Sequence, residues 1–141
     1  MLLAIPHPAE PAPPMYWRRT FPGSPDQARA VRAFAGPLLA GCPAYDDVLL
    51  ALDELVVNAL RHTKSGQAGG HFVVEVHRAD TITVRVTDEG GPAEPAARDA
   101  DTLEESGRGL RTVSLLAQSW GWHGNDRGRA VTAVFPGGGW A

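Results

Sequence analysis

Apolar residues recur at a helical period in three stretches of the chain and at a strand period in segments between them. After Ser24-Pro25-Asp26, an N-cap and N1 pattern, Ala28, Val31, Ala35 and Leu38 sustain the first helical stretch, which Gly41-Cys42-Pro43 closes. A second predicted helix opens near Ala44-Tyr45-Asp46-Asp47 and runs to about Thr63. Its broad apolar face comprises Leu49, Leu52, Leu55, Val56, Ala59 and Leu60. The third covers Gly107 to Ser119 and turns Leu110, Val113, Leu116 and Ala117 inward. Strand signals begin with the aromatic-rich run Tyr16 to Phe21, which ends at Pro22-Gly23. The β-branched runs His71 to His77 and Thr81 to Thr87 flank Arg78-Ala79-Asp80 and predict a hairpin. Trp120 to His123 and Ala130 to Phe135 predict another, around Asn125-Asp126-Arg127-Gly128. Asp88 to Ser106 carries no apolar period and reads as a long loop, a length usually reserved for function or disorder.

Helices and strands therefore interleave, but the strands come mostly as hairpins. That arrangement predicts an α/β two-layer sandwich, with a mixed, mostly antiparallel sheet and three helices packed on one face, in preference to a doubly wound parallel sheet. Residues 1–14 hold five prolines and read as an extended, flexible tail; residues 15–136 form one domain and 137–141 a Gly-rich tail.

Composition narrows the function classes. The 141 residues include 13 bases and 16 acids, a net charge of −3 without a basic block, which argues against direct nucleic-acid binding. Lys64 is the single lysine, so any lysine-dependent chemistry has one address. Cys42 stands alone and excludes an intrachain disulfide. The most apolar stretch, Val48 to Leu60, is broken by Asp53, Glu54 and Asn58, so no membrane span is expected and a cytoplasmic location is the default.

Three short segments carry candidate chemistry. Glu54 and Asn58 lie four residues apart on the most apolar helix and so share a face. Such a pair is either an exposed polar stripe or a site in which the amide serves a hard cation and the carboxylate acts as a base. Asp88-Glu89-Gly90-Gly91 follows directly on a strand. It is either an ordinary turn or a carboxylate placed to accept a ligand hydrogen bond beside glycines that admit a close backbone approach. Gly107-Arg108-Gly109-Leu110 opens the third helix, where backbone amides free of Cβ obstruction can meet an anion. Neither a Walker A loop nor a Rossmann fingerprint is present, and the five histidines show no metal-ligand spacing.

Taken in order, Glu-x3-Asn-Ala on a helix, Asp-x-Gly-Gly after a strand and Gly-x-Gly-Leu opening a helix resemble the N, G1 and G2 boxes of the Bergerat-fold (GHKL) ATPases, the group of gyrase, the Hsp90 chaperones, MutL and histidine kinases. A lid that is short for that group, the chain length and the wording Leu52-Asp53-Glu54-Leu55-Val56-Val57-Asn58-Ala59-Leu60-Arg61-His62 make the chain similar, over about Arg18 to Phe135, to the anti-sigma-factor serine kinases and related small actinobacterial regulators.

The resemblance implies ATP and Mg²⁺ as cofactors, with Asn58 holding the metal and Glu54 serving as general base toward a serine hydroxyl. It further implies that Asp88 binds the adenine amino group. Gly90, Gly107 and Gly109 would shape the pocket and cradle the phosphates, Arg108 would be a phosphate contact, and Leu110 would complete the ATP-binding set. His62, one turn after Asn58, reads as a structural histidine. The implied partners are a sigma factor and an anti-anti-sigma antagonist protein, and the family implies a homodimer. The alternative is a nucleotide-sensing binding module without kinase activity that acts by partner exchange. Pro92 stands where the fuller G1 pattern has a second glycine, which implies altered motion of the following loop within a retained fold.

Overall fold

The computed structural model describes residues 13–91 and 105–137, with residues 105–108 described by backbone alone. In chain order the elements are β1 (Met15–Pro22), α1 (Gln27–Leu38), α2 (Tyr45–His62), a 3₁₀ turn (Lys64–Gly66), β2 (His71–Arg78), β3 (Thr81–Asp88), α3 (Glu105–Leu116), β4 (Ser119–Asn125) and β5 (Gly128–Pro136). The five strands form one sheet in the order β1-β2-β3-β5-β4, and every pairing is antiparallel. The three helices and the sheet make the expected two-layer sandwich, while no parallel pair occurs among the described strands. Both hairpins are present; Arg78 joins β2, leaving Ala79-Asp80 as the turn.

Strand alternation separates the two faces of the sheet. Phe72, Val74 and Val76 on β2, Ile82, Val84 and Val86 on β3, and Val131, Ala133 and Phe135 on β5 are buried against the helices. Val48, Ala51, Leu52, Leu55, Val56 and Ala59 of α2 fill the same core from the other layer. Phe21 anchors β1 by stacking on Phe72, with ring centroids 5.5 Å apart, and by an edge contact with Phe34 of α1 at 5.8 Å. Trp120 and Trp122 pack against this core from β4 as sheet residues. Among the described residues no helix is long and apolar enough to cross a membrane.

Four helix ends depart from the sequence reading. The first helix starts at Gln27, and its N-cap is Asp26 in place of Ser24. The Ser24 hydroxyl donates to the Asp26 carboxylate and its carbonyl accepts the Gln27 N–H at 3.0 Å, so Ser24-Pro25-Asp26 forms a turn ahead of the helix. The third helix begins at Glu105, two residues before Gly107, and stops at Leu116 because Ser119 is already paired with Val134 in the β4–β5 ladder. The second helix ends at His62. There the Thr63 hydroxyl donates to the Ala59 carbonyl at 2.6 Å and accepts the Ser65 N–H at 3.1 Å, which turns the chain out of the helix. Most of the loop expected over Asp88 to Ser106, with its acidic residues and Pro92, lies outside the described residues, as do most of the two tails.

Candidate functional site

The helical period of α2 places Glu54, Asn58 and His62 on one face, successive side chains about 6 Å apart along the axis. The two ends of this row are fixed by glycines from other elements. At the Glu54 end, Gly109 of α3 is buried, and a Cβ built on it would stand 2.7 Å from Glu54 Oε2. At the His62 end, a Cβ on Gly91 would stand 2.6 Å from the His62 carbonyl oxygen and 3.1 Å from an Nη of Arg129. The candidate residues of the second helix, the strand end and the third helix therefore converge along α2. Asn58 lies between the two contacts and is 7% exposed.

Asp88 closes β3 with its side chain turned inward, 5% exposed. Its Oδ1 accepts the Gly90 N–H at 2.7 Å and lies 4.0 Å from Nε of Arg129, the residue opposite it in the β3–β5 register. Glu89 alternates outward, where its carboxylate accepts the His71 N–H at 2.6 Å and its own N–H donates to Ser65 Oγ at 2.9 Å. The turn beyond β3 is thus clamped from outside while Asp88 is held inside.

Gly90 has φ +79°, a left-handed conformation, and a Cβ there would collide with the Asp126 carbonyl of the β4–β5 turn. The Lys64 N–H donates to the Gly90 carbonyl at 2.8 Å, and Lys64 Nζ donates to the Asp126 carbonyl at 3.2 Å. The close approach that the two glycines permit is, in the described residues, an approach to the chain's own backbone. Their contribution to a pocket is to set the course of the turn that carries Asp88.

Of the remaining candidates, Gly107 and Arg108 lie in the first turns of α3. Leu110 is 1% exposed and belongs to the hydrophobic core, where it packs α3 down onto the sheet layer. The sequence reading placed the turn around Asn125-Asp126-Arg127-Gly128 but gave Arg129, Ser65 and Asp126 no part in the site. The predicted last strand began at Ala130; its actual start at Gly128 extends the ladder by two residues and brings Arg129 opposite Asp88.

Electrostatics follow from this burial. Desolvation raises the Glu54 carboxyl above its ordinary value, repulsion from Asp53 adds to the rise, and Arg61 offsets part of it. Asp53 is raised by burial against the pull of Arg32, whose Nε stands 3.3 Å away on α1. Burial also raises Asp88, opposed by the Gly90 N–H and by Arg129. Both neighbouring carboxylates are thus held above their ordinary values, and Glu54 faces Gly109 of α3 while Asp53 pairs with Arg32 of α1. A carboxylate so tuned can take a proton from a hydroxyl group.

No group of three or more His, Cys, Asp or Glu side chains able to hold a metal occurs among the described residues. The largely buried amide of Asn58 offers one oxygen, which fits a cation that brings most of its own ligands. Mg²⁺ does so, keeping water and phosphate oxygens and taking one or two from protein.

Residues 21–135 match the family model described as histidine kinase-like ATPase domain. Over 86 residues the chain is 30% identical to the serine-protein kinase RsbW of Listeria innocua, an alignment that covers 52% of this chain and 54% of that one. The chain thus spans about half the length of this curated relative. The crystal structure of the RsbU and RsbW domains of Rv1364c from Mycobacterium tuberculosis superposes with a TM-score of 0.67 at 23% sequence identity. That match covers 89% of this chain and 33% of the other, and it speaks to the fold.

Proposed function

Since the chain belongs to the histidine kinase-like ATPase domain family, we propose that it binds ATP with Mg²⁺ along α2 and transfers the γ-phosphoryl group to a serine of a partner protein. In this reading Asp88 accepts a hydrogen bond from the adenine amino group. Asn58 holds the metal, which when bound neutralises charge on the phosphates. The backbone of α3 from Gly107 to Gly109 lies at the phosphates, and the third helix offers its N-terminal amides to them. Glu54 takes the proton of the serine hydroxyl as the Oγ–phosphorus bond forms and the bond to the leaving oxygen of ADP breaks. The partners proposed are a sigma factor, held by this protein, and an antagonist protein, which carries the acceptor serine. The active unit proposed is a homodimer, for which sedimentation should give twice the 141-residue chain mass.

The observation that carries this reading is the row Glu54–Asn58 fixed between Gly109 of α3 and Gly91 beyond β3. A half-buried carboxylate with a raised pKa and a largely buried amide share one helix face there, one turn apart. Calorimetric titration of ATP, with and without Mg²⁺, into wild type, Asp88→Asn and Asn58→Ala tests it. Binding that Asp88→Asn abolishes, and that Mg²⁺ strengthens only when Asn58 is present, is the expected result. Failure to bind ATP under either condition sinks it. With binding established, Glu54→Gln should bind as wild type and lose phosphoryl transfer to the antagonist. If wild type also transfers nothing, the protein acts as a nucleotide-sensing module that exchanges partners.

A further inference from the structure

Asp88 and Arg129 face each other across adjacent strands at the buried end of the sheet. Their side chains are 2% and 3% exposed, with Arg129 Nε 4.0 Å from Asp88 Oδ1. The guanidinium also reaches under the turn that follows, since one of its Nη atoms would lie 3.1 Å from a Cβ on Gly91. At 4.0 Å the arginine is an opposite charge and not a hydrogen-bond donor to that oxygen. The Gly90 N–H is the one hydrogen bond to the Asp88 carboxylate among the described residues, and it leaves acceptor capacity for a ligand.

The protonation state of this carboxyl decides what it recognises. Ionised, it is acceptor-only and pairs with an exocyclic amine; protonated, it also donates and can pair with a carbonyl oxygen. We infer that Arg129 is a positioning residue that fixes Asp88 as an acceptor, so that the site selects purines bearing a 6-amino group over purines bearing a 6-oxo group. This rests on the reading of Asp88 as the base-recognition residue and adds the device that sets its selectivity. Burial favours the neutral carboxyl, and the charges acting on it are Arg129 from β5 and Glu89 from the turn just after its own strand. His62 at the end of α2, Lys64 behind Gly90, and Asp126 and Arg127 in the β4–β5 turn surround the same segment. Of these groups Arg129 is the buried cation beside the carboxylate. Without it, desolvation is opposed mainly by a single backbone N–H.

The test is equilibrium binding of ATP and of inosine 5′-triphosphate, both with Mg²⁺, to wild type, Arg129→Gln and Arg129→Lys across the pH range in which each is folded. In wild type the preference for ATP should stay constant as pH falls toward the acid side of neutrality. In Arg129→Gln the ATP affinity should drop by about tenfold for each unit that the Asp88 pKa moves past the working pH, while inosine triphosphate gains relative affinity. Arg129→Lys, which keeps the charge, should restore the wild-type pH profile. A folded Arg129→Gln with the wild-type pH profile and the wild-type preference overturns the inference.

If Arg129→Gln does not fold, wild type decides. A preference that shifts from ATP to inosine triphosphate on mild acidification shows that Asp88 is not held ionised and overturns the proposal, whereas a constant preference supports it. Wild type that binds neither nucleotide removes the base-recognition reading and the inference with it. That outcome is distinct from failure of Arg129 alone, which leaves wild-type ATP binding intact.

Discussion

A methyl group added at Gly109 would stand 2.7 Å from Glu54 Oε2, whereas one added at Gly90 would run into the Asp126 carbonyl at a positive φ. The first obstacle is the end of a flexible side chain and the second is backbone. Gly109→Ala is therefore expected to unfold within about 1 kcal/mol of wild type yet to displace the Glu54 carboxylate and lower phosphoryl transfer by tenfold or more. Gly90→Ala should cost about 2 kcal/mol or more in denaturant unfolding, because left-handed strain alone costs roughly 1–2 kcal/mol. Acid titration gives a further residue-scale expectation. Burial holds Glu54 above its ordinary 4.5, and Asp53 and Asp88 above their ordinary 3.8. A carboxyl raised by folding binds its proton more tightly in the native state. Its stabilising contribution is full below the unfolded value and is lost as pH climbs through the higher folded value. Glu54→Gln should flatten that decline and raise the neutral-pH melting temperature by about 1–3 °C, while removing the group proposed as base.

At the scale of elements, β2 holds α1 in place through Arg78, whose Nη1 donates to the carbonyls of Leu38 and Ala40 at 3.0 and 2.9 Å. These carbonyls end a helix, where intrahelical donors run out. Arg78→Met should cost about 2 kcal/mol, the scale of hydrogen bonds to a charged donor, measured by urea unfolding with the ATP affinity unchanged. Such long-range caps were not legible in the sequence, since Leu38 and Arg78 are forty residues apart. What was legible is what periodicity controls, the α2 face and the two hairpins; the Glu54–Asn58, Asp88–Gly91 and Gly107–Leu110 segments were read through a family resemblance. The helix starts were not legible. Ser24 offers the composition of an N-cap, but its hydroxyl is taken by Asp26, and Glu105 precedes the glycines that seemed to open α3. Arg129 escaped for a similar reason. A charge beside a glycine reads as turn, and only the register of β5 shows that it faces Asp88.

Over the molecule as a whole, the two faces of the sheet do different jobs. The face away from the helices carries a polar ladder across four strands. Arg18 Nε lies 3.6 Å from Glu75 Oε1, Arg85 Nη1 lies 3.2 Å from Glu75 Oε2, and Arg85 Nε donates to Thr132 Oγ1 at 3.0 Å. Partly exposed ion pairs contribute little, so Glu75→Ala should cost less than about 1 kcal/mol. Val84→Ala, on the core face of the same sheet and fully buried, should cost about 2 kcal/mol. Paired denaturation curves would read both.

The contact between Lys64 and the β4–β5 turn has a practical corollary. The sequence holds one ε-amine, and that amine sits 3.2 Å from the Asp126 carbonyl, on the turn against which Gly90 packs. A lysine-directed fluorophore would therefore attach at a single side chain and stand beside the segment that carries Asp88, without engineered cysteines. Its emission should change on addition of ATP and stay constant in Asp88→Asn, which would make the chain its own optical reporter of nucleotide occupancy.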